Sequence, residues 1–147
     1  MNISFSTSIQ RHPCEVFAWI DDPDKAMRWQ KGVKGGTITR ETPERVGTTF
    51  TETLEEDGQT LEMIGTITGY QAGRSIAFHL ESRLHAVDVT YTVAPEAGGS
   101  LVRIDTSIRW KFPFNIMMVF IGAKARAGII AQTRSELAEL KRLCESS

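Results

Sequence analysis

The stretch PFNIMMVFIGAKARAGIIAQTRSELAELKRLC, residues 113–144, decides the fold. After Pro113 no proline occurs to the end of the chain. Apolar residues recur at Ile116, Phe120, Ala123, Ala127, Ile130, Leu137, Leu140 and Cys144. Spacings of this kind fit one face of an α-helix. A helix of about 30 residues is roughly 45 Å long. It spans a small domain end to end and needs a large apolar surface to lie against.

The rest of the chain supplies that surface. Asn2 to Gln10 alternates Ile3, Phe5, Thr7 and Ile9 with polar residues, the period of a half-buried strand. Pro13 and Glu15 suit the first turn of a helix running to about Ile20. Asp22 and Pro23 read as the N-cap and first residue of a second helix reaching about Gln30. Six strand-like runs follow: Val33 to Glu41, Thr48 to Glu55, Thr60 to Tyr70, Ser75 to Glu81, Ala86 to Val93 and Leu101 to Lys111. Asp57-Gly58 signals a two-residue hairpin, and Pro95 to Gly99 reads as a turn. Hairpin-linked strands are antiparallel neighbours. The expected fold is therefore α+β, a seven-stranded antiparallel sheet curled around a long C-terminal helix. No linker or repeat divides residues 1–147, so a single domain is expected.

Register follows from the Asp57-Gly58 hairpin. It pairs Glu56 with Gln59, Leu54 with Leu61, Glu52 with Met63 and Phe50 with Gly65. One face then carries Phe50, Glu52, Leu54, Leu61, Met63, Gly65 and Ile67, and the other is mostly threonine and glutamate. The same parity turns Ile76, Phe78, Leu80, Val87, Val89, Tyr91, Val93, Val102, Ile104, Thr106, Ile108 and Trp110 inward. Glu52 is the odd member, because an unpaired buried carboxylate is costly.

Composition narrows the function classes. The chain has 147 residues, 41% of them hydrophobic and 24% charged, ordinary for a globular domain. A net charge of -1 gives no strong global field that would recruit DNA or other nucleic acid, or an anionic membrane. The two cysteines, Cys14 and Cys144, form no CxxC or Cys/His cluster, so neither a metal site nor a cofactor is indicated. No signal-peptide pattern is seen, and the apolar run Phe112 to Ala123 is too short for a membrane span of about 20 residues. A cytoplasmic protein is expected, and self-association into a homodimer stays open.

Several short motifs add a resemblance. Pro13, Glu15, Val16 and Phe17, then Asp22-Pro23, Trp29, Gly47-Thr48 and Gly98-Gly99-Ser100-Leu101-Val102 recur in this order along the chain. In these the chain resembles the START-like (SRPBCC) superfamily of the helix-grip fold, specifically its polyketide cyclase/dehydrase-like branch. That family more often has Thr where this chain has Ser100. The resemblance implies a cavity between the sheet and the long helix for a lipid, polyketide or other small hydrophobic molecule. It does not imply one reaction: family members include cyclases and dehydratases, ligand carriers and modules that bind proteins or ribosomes.

The expected pocket wall comprises Trp29, Phe50, Met63, Phe78, Val89, Tyr91, Ile108, Trp110, Met117, Phe120 and Ile121, unless these side chains simply fill the core. Glu52, Tyr91 and Lys124 are a candidate polar handle, with a structural ion pair as the alternative. Gly65 is expected to leave a gap opposite Phe50. His12, His79 and His85 read as surface or element-end residues. The catalytic residues stay unassigned. The basic residues Lys124, Arg126, Arg134, Lys141 and Arg142 are either a partner-binding face or a solvated one, mixed with Glu136, Glu139 and Glu145.

Overall fold

The computed structural model describes residues 1–56 and 58–147. The elements are β1 (Asn2–Ile9), α1 (Pro13–Asp21), α2 (Pro23–Ala26), β2 (Val33–Arg40), β3 (Thr49–Glu56), β4 (Gln59–Gln71), β5 (Ser75–Glu81), β6 (His85–Glu96), β7 (Gly99–Trp110) and α3 (Phe114–Ser146). All seven strands form one antiparallel sheet in the order β1-β7-β6-β5-β4-β3-β2. With α3 this is the helix-grip arrangement expected from the sequence. The β3–β4 register is also the expected one, with Leu54 opposite Leu61, Glu52 opposite Met63 and Phe50 opposite Gly65. Asp57, the first residue of the expected turn, lies outside the described residues.

Local chemistry sets the helix starts. The His12 side chain accepts the Cys14 N–H at 3.2 Å, and Pro13 opens α1. Asp22 accepts the Asp24 N–H at 2.9 Å ahead of Pro23 in α2. The second helix is shorter than expected and ends at Ala26. Beyond it the chain tightens into turns that swing Trp29 inward, where its Nε1–H donates to the Trp19 carbonyl at 2.8 Å. Trp29 is 1% exposed, so burying one large ring overrides continued helix.

The turn expected over Pro95 to Gly99 is tighter than that span. β6 runs through Pro95 to Glu96, which pairs with Gly99. Gly98, at φ 83°, supplies the positive φ that a tight two-residue connection needs, so the loop shrinks to Ala97 and Gly98. At the far edge, β2 carries two register breaks together with Lys34 and Arg40, features that blunt an exposed strand.

The largest correction concerns α3. Its buried residues are Leu137, Leu140, Leu143 and Cys144, all in its last turns. That end packs against β1, β7 and α1. Polar ties hold the helix along its length: Arg126 in its first half donates to the Asn2 carbonyl, and farther on Gln132 donates to the Lys31 carbonyl and Lys141 to the Ser8 carbonyl. Toward the N-terminus the side turned to the sheet is Phe114, Met118, Gly122, Ala125 and Ile129, none of them exposed. The expected stripe of Ile116, Phe120, Ala123 and Ala127 faces solvent instead. From Ile116 to Ile121 every position is apolar, so periodicity cannot choose a face there. The tied-down C-terminal half makes the choice.

Candidate functional site

A cavity of about 260 Å³ opens between α2 and the half of the sheet from β2 to β6. It is not under α3, as the sequence suggested, because no α3 residue lines it. Its floor is aromatic. Phe50, Phe78, Tyr91 and Trp29 stack edge to face in a row, with ring centroids 5.8, 6.4 and 5.8 Å apart. Phe50, Phe78 and Tyr91 line the cavity, with Ile67 and Ile76 beside them. Trp29 braces Tyr91 from behind. Ile20 and Ala26 form the roof, and the exposed Met27, Ile38 and Glu41 belong to the rim.

The gap expected over Gly65 is filled. A Cβ there would lie 2.3 Å from Phe50 Cζ, so the far end of the Phe50 ring occupies the space over the glycine. Gly65 thereby positions a floor residue rather than creating space.

Polar side chains share the lining, among them Asp21, Gln30, Arg45, Thr48 and Glu52. Glu52 lines the cavity half-buried, and its carboxylate makes no hydrogen bond among the described residues. Burial raises its pKa above the usual glutamate value. Glu136 of α3 is raised too, first by burial; its bond from the Lys31 N–H at 2.6 Å opposes the rise, and Glu52 adds to it. Burial pushes the Tyr91 phenol well up, reinforced by the charges of Glu136 and Glu52, while Gln30 pulls it the other way. Nearer the rim, Arg45 bonds Asp21 at 2.6 Å and stacks on Tyr70, whose hydroxyl donates to Asp21 at 2.9 Å. Arg45 holds φ at 72°, an uncommon conformation for a non-glycine residue.

The raised Glu52 makes a pH prediction. Its folded pKa lies above the unfolded one, so its contribution to stability is full below about pH 4.5 and is lost as pH rises through the raised value. Glu52→Gln removes that loss. Thermal unfolding is expected to give the variant a higher Tm than the parent at neutral pH, with the difference closing near about pH 4. A variant less stable at neutral pH would mean that the carboxylate makes a favourable contact.

Of the residues singled out from sequence, the structure gathers Phe50, Glu52, Phe78 and Tyr91 into this cavity, with Trp29 behind them. Met63, Val89, Ile108 and Trp110 belong to a second apolar cluster with Val87, Leu54, Leu61 and Leu80. Met117, Phe120, Ile121 and Lys124 stand exposed on α3. Lys124 therefore forms no handle with Glu52 and Tyr91. Sequence reasoning missed Gln30, Thr48, Glu136 and the Asp21–Arg45 pair. Inward parity already marked Ile67 and Ile76; the α2 residues had no comparable signal.

The histidines lie elsewhere. His79 bridges Asp88 and Glu81 at 2.7 and 2.9 Å, and these partners raise its pKa. His85 stacks on Trp110, and burial lowers its pKa. Among the described residues no group of His, Cys, Asp and Glu is arranged to hold a metal ion.

A long helix gripped at one end by a seven-stranded sheet, with a largely apolar cavity beneath a short second helix, defines a START-like protein. The chain belongs to the family described as polyketide cyclase / dehydrase and lipid transport, whose profile matches residues 2–145. Among solved structures it is similar to a Thermus thermophilus protein (TM-score 0.82, 14% identity, 98% of this chain and 97% of that one). It is also similar to a START superfamily protein from Mycobacterium smegmatis (TM-score 0.77, 15% identity, 97% and 98%). A Chromobacterium violaceum protein aligns with TM-score 0.74 at 19% identity over 99% and 98% of the two chains. At these identities the likeness is one of fold. No curated protein matches the sequence.

Proposed function

We propose that this protein binds one small, largely apolar molecule, lipid- or polyketide-like, in the cavity between α2 and strands β2–β6. The observation that carries the reading is a half-buried carboxylate, Glu52, with no hydrogen-bond partner among the described residues, facing an aromatic floor. A carboxylate in that setting lacks a hydrogen-bond donor, and a ligand hydroxyl or amine would supply one. The family's description, which includes lipid transport, supports the same class of ligand. Small-molecule sites usually measure about 300–1,000 Å³. A cavity of about 260 Å³ suits a small ligand, or one end of a longer chain. The reading takes the protein to be soluble and cytoplasmic.

An enzyme of the cyclase or dehydratase type is the second reading, favoured by one observation. Glu52, raised by burial, is suited to accept a proton from a substrate held against Phe78 and Tyr91. Positioning of a flexible substrate would supply the rest.

Titration with an environment-sensitive apolar fluorophore tests the binding reading. Saturable 1:1 binding, displaced by medium-chain alcohols, is expected. Ala26→Phe places a ring in the cavity from its roof and is expected to weaken binding by about tenfold or more. Equal binding by the variant would remove this cavity from consideration.

A further inference from the structure

Ile116, Val119, Phe120, Ala123 and Ala127 form one exposed helical stripe on α3. Phe112 is 76% exposed, Val119 79% and Phe120 82%, with Ile116, Met117 and Ile121 near half. So large a contiguous apolar patch on a folded domain marks a surface that meets something. Along the chain the charge flanking it has one sign. Between Asp105 and Glu136 there is no carboxylate, and this interval holds Arg109, Lys111, Lys124, Arg126 and Arg134. Lys111 precedes the apolar segment, and Lys124 and Arg126 follow it by one turn. In space Glu81 pairs with Lys111 at 2.6 Å and Asp88 lies 3.9 Å from Arg109, which leaves Lys124 as the cation beside the stripe with no acid partner among the described residues.

We infer that the N-terminal half of α3 docks onto the surface of an anionic phospholipid bilayer, its Ile116–Phe120 stripe entering the interface and Lys124 meeting the headgroups. An apolar helical face flanked by cations is the chemistry that such an interface takes up. A second copy of this chain fits less well. The stretch offers a second copy cations and no carboxylate of its own to pair with them across a two-fold contact. By length and composition α3 holds an 18-residue window apolar enough to cross a bilayer. Its second half, however, is committed to the domain through Leu137, Leu140, Leu143 and Cys144. The free part, Phe114 to Ala123, is roughly 15 Å long, half of a hydrocarbon core of about 30 Å. It therefore lies at the interface and does not span. The inference is independent of whether the cavity holds a ligand.

Flotation of the full chain with vesicles tests it, using phosphatidylcholine alone and an equal mixture with phosphatidylglycerol. The protein is expected to float with the anionic vesicles, to stay behind with the neutral ones and to be released by high salt. Phe120→Asp is expected to reduce binding about tenfold or more, with unchanged thermal unfolding because the side chain touches little of the domain. Lys124→Glu is expected to reduce it about fivefold or more. Failure to float with anionic vesicles overturns the inference, as does equal binding by Phe120→Asp. A dimer in sedimentation equilibrium that Phe120→Asp dissociates, without vesicle binding, would assign the face to a second copy.

Discussion

Leu140→Ala is expected to destabilise the protein by about 2–5 kcal/mol, whereas Phe120→Ala changes stability by no more than about 0.5 kcal/mol. Leu140 is 0% exposed and packs in the main core with Val16, Val102 and Leu137. Its truncation leaves a cavity where α3 meets β1, β7 and α1. A domain of this size has roughly 5–15 kcal/mol of stability, so the loss is a large share of the total. Phe120 carries the larger apolar side chain but is 82% exposed, so little burial is lost with it. Urea unfolding of the two variants side by side measures the difference. Equal losses would turn the Phe120 face of α3 against the sheet, contrary to the fold described.

Gly99→Ala is expected to cost about 3 kcal/mol or more, although alanine is the smallest possible change. A Cβ at this position would lie 2.2 Å from the Ile9 carbonyl oxygen, 2.9 Å from Gln10 Cα and 3.0 Å from the Arg11 nitrogen. All three are backbone atoms, so no side-chain rotation relieves the clash. The end of β1 would have to move away from β7. That motion would pull on the bond from the Ser100 hydroxyl to the Arg11 carbonyl, 2.7 Å long beside a fully buried serine. The adjacent Gly98 is glycine for a different reason. It has open space around it and a φ of 83°. Gly98→Asn is therefore expected to fold with only a small loss, since asparagine tolerates the left-handed region. Thermal unfolding of both variants checks the pair, and similar losses would contradict the close approach at Gly99.

The strands were legible because a period of two turns every hydrophobic choice into a statement about a face. Phe50, Met63, Ile76, Tyr91 and Ile108 needed only one hairpin to fix their parity. Glu52 stood out for the same reason: it broke an otherwise apolar inner face. The helix was less legible. Where Ile116 to Ile121 are all apolar, no arc is distinguished from any other. The decision came from Leu137, Leu140 and Cys144 more than two helical turns beyond, together with backbone anchors such as Arg126 to Asn2. The cavity then fell under α2, because α2 stops at Ala26 and turns Trp29 inward, an outcome of side-chain burial and not of helix propensity. Glu136 was hidden by its neighbours. Arg134, Glu139 and Lys141 make that segment look like a solvated face, yet Glu136 lies close enough to Glu52 for each charge to raise the neighbouring Tyr91 phenol.

The central claim, that the cavity beneath α2 holds a small apolar molecule, is tested most directly by native mass spectrometry of the protein purified from its own host beside Ala26→Phe. The account predicts a 1:1 adduct on the parent protein, released on collisional activation as an apolar compound with a hydrogen-bond donor, and its absence from the variant. An adduct of equal occupancy on both proteins would contradict the cavity assignment, and a parent protein that is consistently free of any adduct would contradict ligand binding itself.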